Sequence, residues 1–369
     1  MRPKISVLVA VYNLEFYIER CLESLAKQTL KEIEVLVIND GGSDESQLII
    51  DEYVVNYPSI FKSFIKENGG HGSSLNYGIE RATGEYLMIV DGDDFLDEDT
   101  CEFMYDKAKE KDVDMVMGNL FYIFPDSTLI FKPVHEDSEL LIEGSNKSLL
   151  FRNWATPCAR IYRRELFEDP ELRFVPGIVF ADANFAPKSY HAAKSIYYVN
   201  KNLYNYDITR PTQSMKLNNV KILDIITGMR DMLQYYKNKG EFDLYKTELQ
   251  YYVGMHCLAW VNKIKFSEGF SRSKALRELF KVADDYFGDS WLQDKNIKTL
   301  RGRKAYHWVR LGRMTNYYSF IVAWRLAQKS GKFDQALSKA FKIPLSGYSW
   351  VSSKVQKRLN DLLYVKVWG

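Results

Sequence analysis

Over its first hundred residues the chain switches between short, nearly continuous apolar runs and stretches with helical spacing. Residues 4–11 are one such run, and residues 14–27 place Leu14, Tyr17, Ile18, Cys21, Leu22 and Leu25 on one helical face. Residues 33–39 read as a second strand, ending in the turn Asp40-Gly41-Gly42-Ser43 before another helix. Residues 60–66 read as a third strand, 73–82 as a helix and 86–90 as a fourth strand. Strands that are apolar on both faces need cover on both faces, so the alternation predicts an α/β fold with a mostly parallel sheet. In such sheets ligands bind beyond the carboxyl ends of the strands. Those ends carry Tyr12-Asn13, Asn39-Asp40 and Asp91-Gly92-Asp93-Asp94, so three polar clusters are expected along one edge.

From 114 to 212 the pattern is mixed. Short strands are expected at 115–117, 121–124 and 127–131 around Pro125-Asp126, followed by helices and loops. Past Thr212 the chain turns to long amphipathic runs rich in Tyr and Trp, with almost no strand signal. A length of 369 residues suits two domains, placed at 1–215 (α/β) and 216–369 (helical).

The net charge of +2 conceals a split: residues 295–369 hold sixteen Lys or Arg against two acids, a net +14, which leaves −12 on residues 1–294. Ten of those basic residues lie in 295–333, interleaved with Tyr306, Trp308, Tyr317, Tyr318, Phe320 and Trp324 and with no acid between them. Such a tail suits an anionic membrane surface, or else a helical bundle with a solvated basic face. No nucleic-acid-binding motif accompanies the charge, so nucleic acid is not expected as a partner. The four scattered cysteines form no CxxC pair and read as reduced thiols of a cytoplasmic protein. The N-terminal apolar run is too short for a signal peptide, and no stretch approaches the roughly 18 apolar residues of a membrane span. The expected location is the cytoplasm, peripheral at the inner face of the membrane.

Asp91-Gly92-Asp93-Asp94 is the sharpest chemical feature. Three carboxylates leaving a buried strand within four residues repel one another strongly unless a cation is bound. Mn²⁺ or Mg²⁺ suits such oxygens and completes its shell with diphosphate oxygens. The competing reading is a solvated acidic turn. Gly69, Gly70 and Gly72 do not spell GxGxxG after the first strand, which disfavours a dinucleotide site. His71, between them, is either close to a bound diphosphate or an ordinary surface histidine.

The runs ISVLVAVYN, VINDGGSDES and NGGHGSSLNYGIERATGEYLMIVDGDDFLD together resemble the family 2 glycosyltransferases with the GT-A fold, over roughly residues 4–215. The resemblance implies Tyr12 against the nucleobase, Asp40 at the base edge, Asp91 near the ribose and metal, and Asp93 as the metal-binding acid. Asn76 matches an asparagine of the family and becomes a donor-site candidate. Ala10 stands where the family commonly has Pro. In Phe180-Ala181-Asp182 the family commonly reads Glu-Asp, so Asp182 inherits the role of catalytic base while Ala181 replaces the usual Glu. Leu203-Tyr204-Asn205-Tyr206 with Arg210 resembles a loop closing over the diphosphate, where Arg210 would offset phosphate charge. Trp154 and Arg160 are acceptor-side candidates.

The expectation is therefore an inverting, metal-dependent transfer from a nucleotide sugar, a UDP-sugar, to a glycan or lipid-linked hydroxyl in bacterial surface-polysaccharide synthesis. A nucleotidyltransferase should carry a Gly-rich, Arg-containing loop after the first strand, where this chain has AVYNLEF. The alternative outside catalysis is a nucleotide-sugar-binding scaffold with little turnover, suggested by Ala181.

Overall fold

The computed structural model describes residues 2–134, 136–153, 156–210, 220–266, 272–288 and 291. The chain divides into two compact units, Met1–Gln213 with Thr227–Tyr245, and Ser214–Ile226 with Lys246–Gly369.

The first unit opens with β1 (Ile5–Val11), α1 (Ile18–Ala26), β2 (Ile33–Asn39), α2 (Ser46–Asn56), β3 (Phe61–Ile65), α3 (His71–Ile79), β4 (Tyr86–Asp91) and α4 (Thr100–Lys111). It continues with β5 (Met115–Ile123), β6 (Thr128–Phe131), β7 (Leu140–Ile142), β8 (Arg160–Arg163), α5 (Asp182–Ala192) and β9 (Ile196–Asp207), and takes in most of α6 (Asp224–Asn238). All strands join one sheet in the order β3-β2-β1-β4-β8-β5-β9-β7, with β6 paired to β5. β3, β2, β1 and β4 run parallel, β8 is antiparallel to both neighbours, and β5 and β9 are parallel again. Every residue of β1 and β2 is buried, and the two polar positions inside these otherwise apolar runs satisfy each other, the Ser6 hydroxyl donating to the Glu34 carboxylate at 2.6 Å. The register sets Val11 opposite Asn39 and Ala10 opposite Asp91, so the polar ends of β1, β2 and β4 are level.

Three elements differ from the pattern reading. The strands expected at 115–117 and 121–124 are one strand, β5, because Gly118 and Asn119 interrupt its apolar run without ending its pairing. They sit where the β5–β9 register shifts, and a Cβ on Gly118 would lie 2.4 Å from Leu203 Cδ1. Residues 203–206, expected as a closing loop, lie inside the twelve-residue β9, where long-range pairing with β5 holds them extended. Helix α3 starts at His71 rather than Ser73, which brings His71 into its first turn.

In the second unit α7 (Lys246–Phe266) and α8 (Arg272–Phe287) pack together through buried Val253, Cys257, Leu276, Leu279 and Val282. The basic tail expected at 295–369 lies outside the described residues. Among the described residues no helix is long and apolar enough to cross a membrane. All four cysteines are buried and free.

Candidate active site

The acids that follow β4 enter three different environments. Asp94 is 1% exposed; its carboxyl accepts the Tyr204 hydroxyl at 2.8 Å and the Asp207 amide at 2.9 Å. Removal from water, with Asp93 and Asp91 nearby, pushes its pKa well above the usual carboxylate range. The Tyr204 oxygen also accepts the Asp91 amide at 2.9 Å, so this tyrosine laces the acidic turn to β9. Asp94 is thereby built into the structure, whereas Asp91 pairs with His71 and Asp93 with Arg210.

Asp91 Oδ1 stands 2.9 Å from His71 Nε2, and the buried Cys158 thiol lies 3.9 Å from Oδ2. Burial works against its charge, but His71, then Arg210, holds the Asp91 pKa below its ordinary value. The His71 ring likewise loses solvation, yet Asp91, Asp182 and Asp93 raise its pKa. Asp93 pairs with Arg210 Nε at 2.9 Å, while its carbonyl accepts Arg20, which also pairs with Asp207 at 2.7 Å.

These donors fit a hard divalent cation only in part. Two carboxylates leave one turn, and their negative charge is matched by a histidine and an arginine, the balance a bound cation could take over. Among the described residues no three His, Cys, Asp or Glu groups stand together as a complete ligand set. Diphosphate oxygens would have to complete the shell.

Asp40, 3% exposed, is already engaged. Oδ1 accepts Lys66 Nζ at 2.6 Å and the Gly69 amide at 3.0 Å, and Oδ2 accepts the Gly70 amide at 2.7 Å. It thus anchors the glycine loop as well as standing at the sheet edge. Tyr12, just past β1, is 51% exposed, an aromatic face open to a ligand. The next residue, Asn13, has φ 52° and accepts the Ser43 amide, which ties the first two polar clusters together. Asn76 is directed elsewhere: its amide donates to the Phe174 carbonyl at 2.9 Å and accepts the Phe174 amide at 3.0 Å.

Asp182 is the first residue of α5, after Ala181, and no side-chain cap bond closes that helix start. Loss of water pushes its pKa up to about 6, against the pull of His71 and the Ala183 amide, with Asp91 adding to the rise. Two residues earlier Phe180 has φ 62°, a strained conformation for a bulky side chain. Ala181 is buried with its Cβ near Gly72, so this position packs against the glycine loop. Arg160 is 1% exposed and donates to the Tyr190 hydroxyl at 2.8 Å beneath α5, a buried position for an expected acceptor contact. Trp154 lies outside the described residues.

The structure therefore brings Asp91, Asp93, Asp182 and Arg210 into one electrostatic group and adds His71 to it. The sequence leaves His71 undecided, points to Tyr204 only within a stretch expected to close over the diphosphate, and gives no sign of Arg20 or Lys66. The alternation of Leu203-Tyr204-Asn205-Tyr206 was the available sign of a strand that could aim Tyr204 at the acids.

The family model described as Glycosyl transferase family 2 matches residues 6–169, a span that ends before Asp182 and Arg210. EpsH of Bacillus subtilis (strain 168) is 30% identical over 303 residues, which cover 78% of this chain and 86% of that protein. GlyA of Streptococcus pneumoniae serotype 4 is 30% identical over 250 residues, 64% of this chain but 35% of GlyA. Among solved structures, residues 1–349 of S. aureus TarS in complex with UDP-GlcNAc share the fold at a TM-score of 0.69 and 22% identity. That match covers 88% of this chain and 92% of the other.

Proposed function

This chain belongs to glycosyltransferase family 2, and we propose that it moves a sugar from a UDP-sugar to a hydroxyl of a glycan or lipid-linked acceptor. The observation that carries the reading is one acidic group held in two opposite states. Asp91 stands 2.9 Å from His71, which against the effect of burial holds its pKa below the ordinary value, while at the start of α5 loss of water pushes that of Asp182 up to about 6, into the range of a working base.

In this mechanism Asp182 accepts the proton of the acceptor hydroxyl as its oxygen bonds to the anomeric carbon. The bond from that carbon to the diphosphate oxygen breaks in the same displacement, so UDP leaves and the configuration inverts. Arg210 and, when protonated, His71 are cations at the acids that can offset charge on the departing diphosphate. Asp91 and Asp93 would hold Mn²⁺ or Mg²⁺, whose charge adds to that offset. Tyr12 offers its exposed ring to the nucleobase, and Asp40 holds the loop beside it. Residues 1–215 form the catalytic domain in this reading, and residues 216–369 a helical domain whose basic end meets an anionic membrane. The UDP-GlcNAc in the TarS structure supports a UDP-sugar donor, and a match at 34% identity over 122 residues to GgaB, a minor teichoic acid biosynthesis protein of B. subtilis, supports a surface-polysaccharide setting.

Incubating the chain with a panel of nucleotide sugars and Mn²⁺, with and without sugar acceptors, tests the proposal. Acceptor-stimulated release of UDP is expected. Tight nucleotide-sugar binding without release would assign a scaffold instead.

A further inference from the structure

Between β8 and α5, residues 169–181 belong to no helix or strand, yet they lead directly into Asp182. Their placement rests on contacts from other elements. Asn76, on α3, exchanges both hydrogen bonds with Phe174, N–H and C=O alike, as a neighbouring strand would. Lys188, buried on α5, donates to the Arg173 carbonyl at 2.7 Å and the Glu171 carbonyl at 3.0 Å, its charge balanced by Asp231 at 2.7 Å. The Gly177 amide donates to the Gly69 carbonyl at 2.9 Å, next to Gly70 with its φ of 83°.

The two segments also meet without polar contacts. A Cβ on Gly72 would lie 2.8 Å from the Val175 carbonyl oxygen and 2.9 Å from Phe174 Cβ, so the bare glycine allows the approach. The Phe174 ring stacks on Phe185 at 3.9 Å between centroids and 12° between planes. Phe185 lies three residues past Asp182, on the same helix. A continuous path of contacts thus runs from Asp40 through the Gly69–Gly72 loop and Asn76 to Phe174, Phe185 and the start of α5.

From this path we infer that Asn76 is a positioning residue for Asp182, fastening α3, which presents His71 to Asp91, to the loop that carries the base. The inference rests on the reading of Asp182 as base. It gives Asn76 a different task from donor binding. One N–H and the oxygen of its amide are engaged by the backbone of Phe174, which fixes the orientation of the amide. The clasp keeps the donor side and the base side at a set spacing, the kind of support that catalytic geometry needs.

Two variants of the full chain test it. Asn76→Ala removes the reciprocal bonds; Gly72→Ala presses on the same contact without removing a polar group. Three quantities are read for each: amide exchange across 169–185, UDP affinity with Mn²⁺ by calorimetry, and steady-state UDP release. The donor for the last is whichever of UDP-glucose, UDP-galactose and UDP-N-acetylglucosamine the wild type turns over. Expected are exchange about tenfold faster or more across 171–182, UDP affinity within about twofold, and kcat lowered about tenfold or more at nearly constant donor KM. A UDP affinity that falls in step with the rate overturns the inference and makes Asn76 a donor ligand. Unchanged exchange overturns it too. If Asn76→Ala does not fold, Gly72→Ala decides by the same readings. A wild type that neither binds UDP nor turns over any of the three removes the proposed function, and this role with it. Failure of the clasp alone leaves wild-type binding and turnover intact.

Discussion

The Nε of Arg210 stands 2.9 Å from Oδ2 of Asp93. Sequence reasoning assigned these residues separately, the acid to a metal and the arginine to phosphate. Here each answers the charge of the other. A cation arriving at Asp93 competes with the guanidinium, and a diphosphate arriving nearby draws the guanidinium away.

Binding of metal and nucleotide should therefore be linked. Calorimetry on the full chain is expected to show weak Mn²⁺ binding alone and an affinity about tenfold higher or more with UDP. Mn²⁺ must then raise UDP affinity by the same factor, because coupling between two ligands is reciprocal. Asp93→Asn should remove the linkage. Equal UDP affinity in Mn²⁺ and in EDTA would take the metal out of the mechanism.

Asp182→Asn keeps the shape of the side chain and loses its basicity. Donor affinity should stay nearly intact while transfer falls by about 10²-fold or more. A loss of UDP binding with no separate effect on rate would mark Asp182 as structural.

The pH profile follows from the same carboxyl. A base works only when ionised, and desolvation pushes the Asp182 pKa up to about 6 despite the nearby His71. Turnover should fall about tenfold per pH unit below pH 6 and level off above it. In Asp182→Asn that acid limb should vanish from the residual rate. A wild-type profile flat from pH 5 to 8 contradicts the assignment.

Tyr204→Phe removes one hydroxyl that accepts the Asp91 amide and donates to Asp94. Leaving those buried groups without this partner should lower unfolding stability by about 1–3 kcal/mol, measured by urea titration. A loss within about 0.3 kcal/mol would mean that water replaces the hydroxyl, on the same scale of unpaired-group costs.

The basic tail calls for a vesicle experiment. The +14 on residues 295–369 should bring the chain to anionic liposomes at low salt, with binding weakening steeply as exposed charges are screened over about 10 Å at 0.1 M. Neutral liposomes should bind little of it. Equal indifference to both kinds of vesicle would leave the tail some other role.

The sequence by itself determined the parallel strands β1, β2 and β4, the Tyr12-Asn13 that follows the first and the acids at the ends of the other two. A strand covered on both faces is mostly apolar, so local pattern suffices to find it, although the buried Glu34 of β2 needs the Ser6 hydroxyl of β1 that only the pairing supplies. The partner of each acid is another matter. His71 meets Asp91 across 20 residues, Asn76 meets Phe174 across 98, and Tyr204 meets Asp94 across 110. No spacing rule covers such separations, because the donor is set by strand order and loop path rather than by its neighbours in the chain. The same holds for β9, whose extended form comes from pairing with β5 and β7, strands more than fifty residues away. Tertiary structure alone decided that Asp94 is buried in a hydrogen-bond network, that Asp91 stands 2.9 Å from a histidine, and that loss of water raises the pKa of Asp182 at the start of α5. The acids are identical in type, and their solvent exposure and bonded neighbours separate their roles.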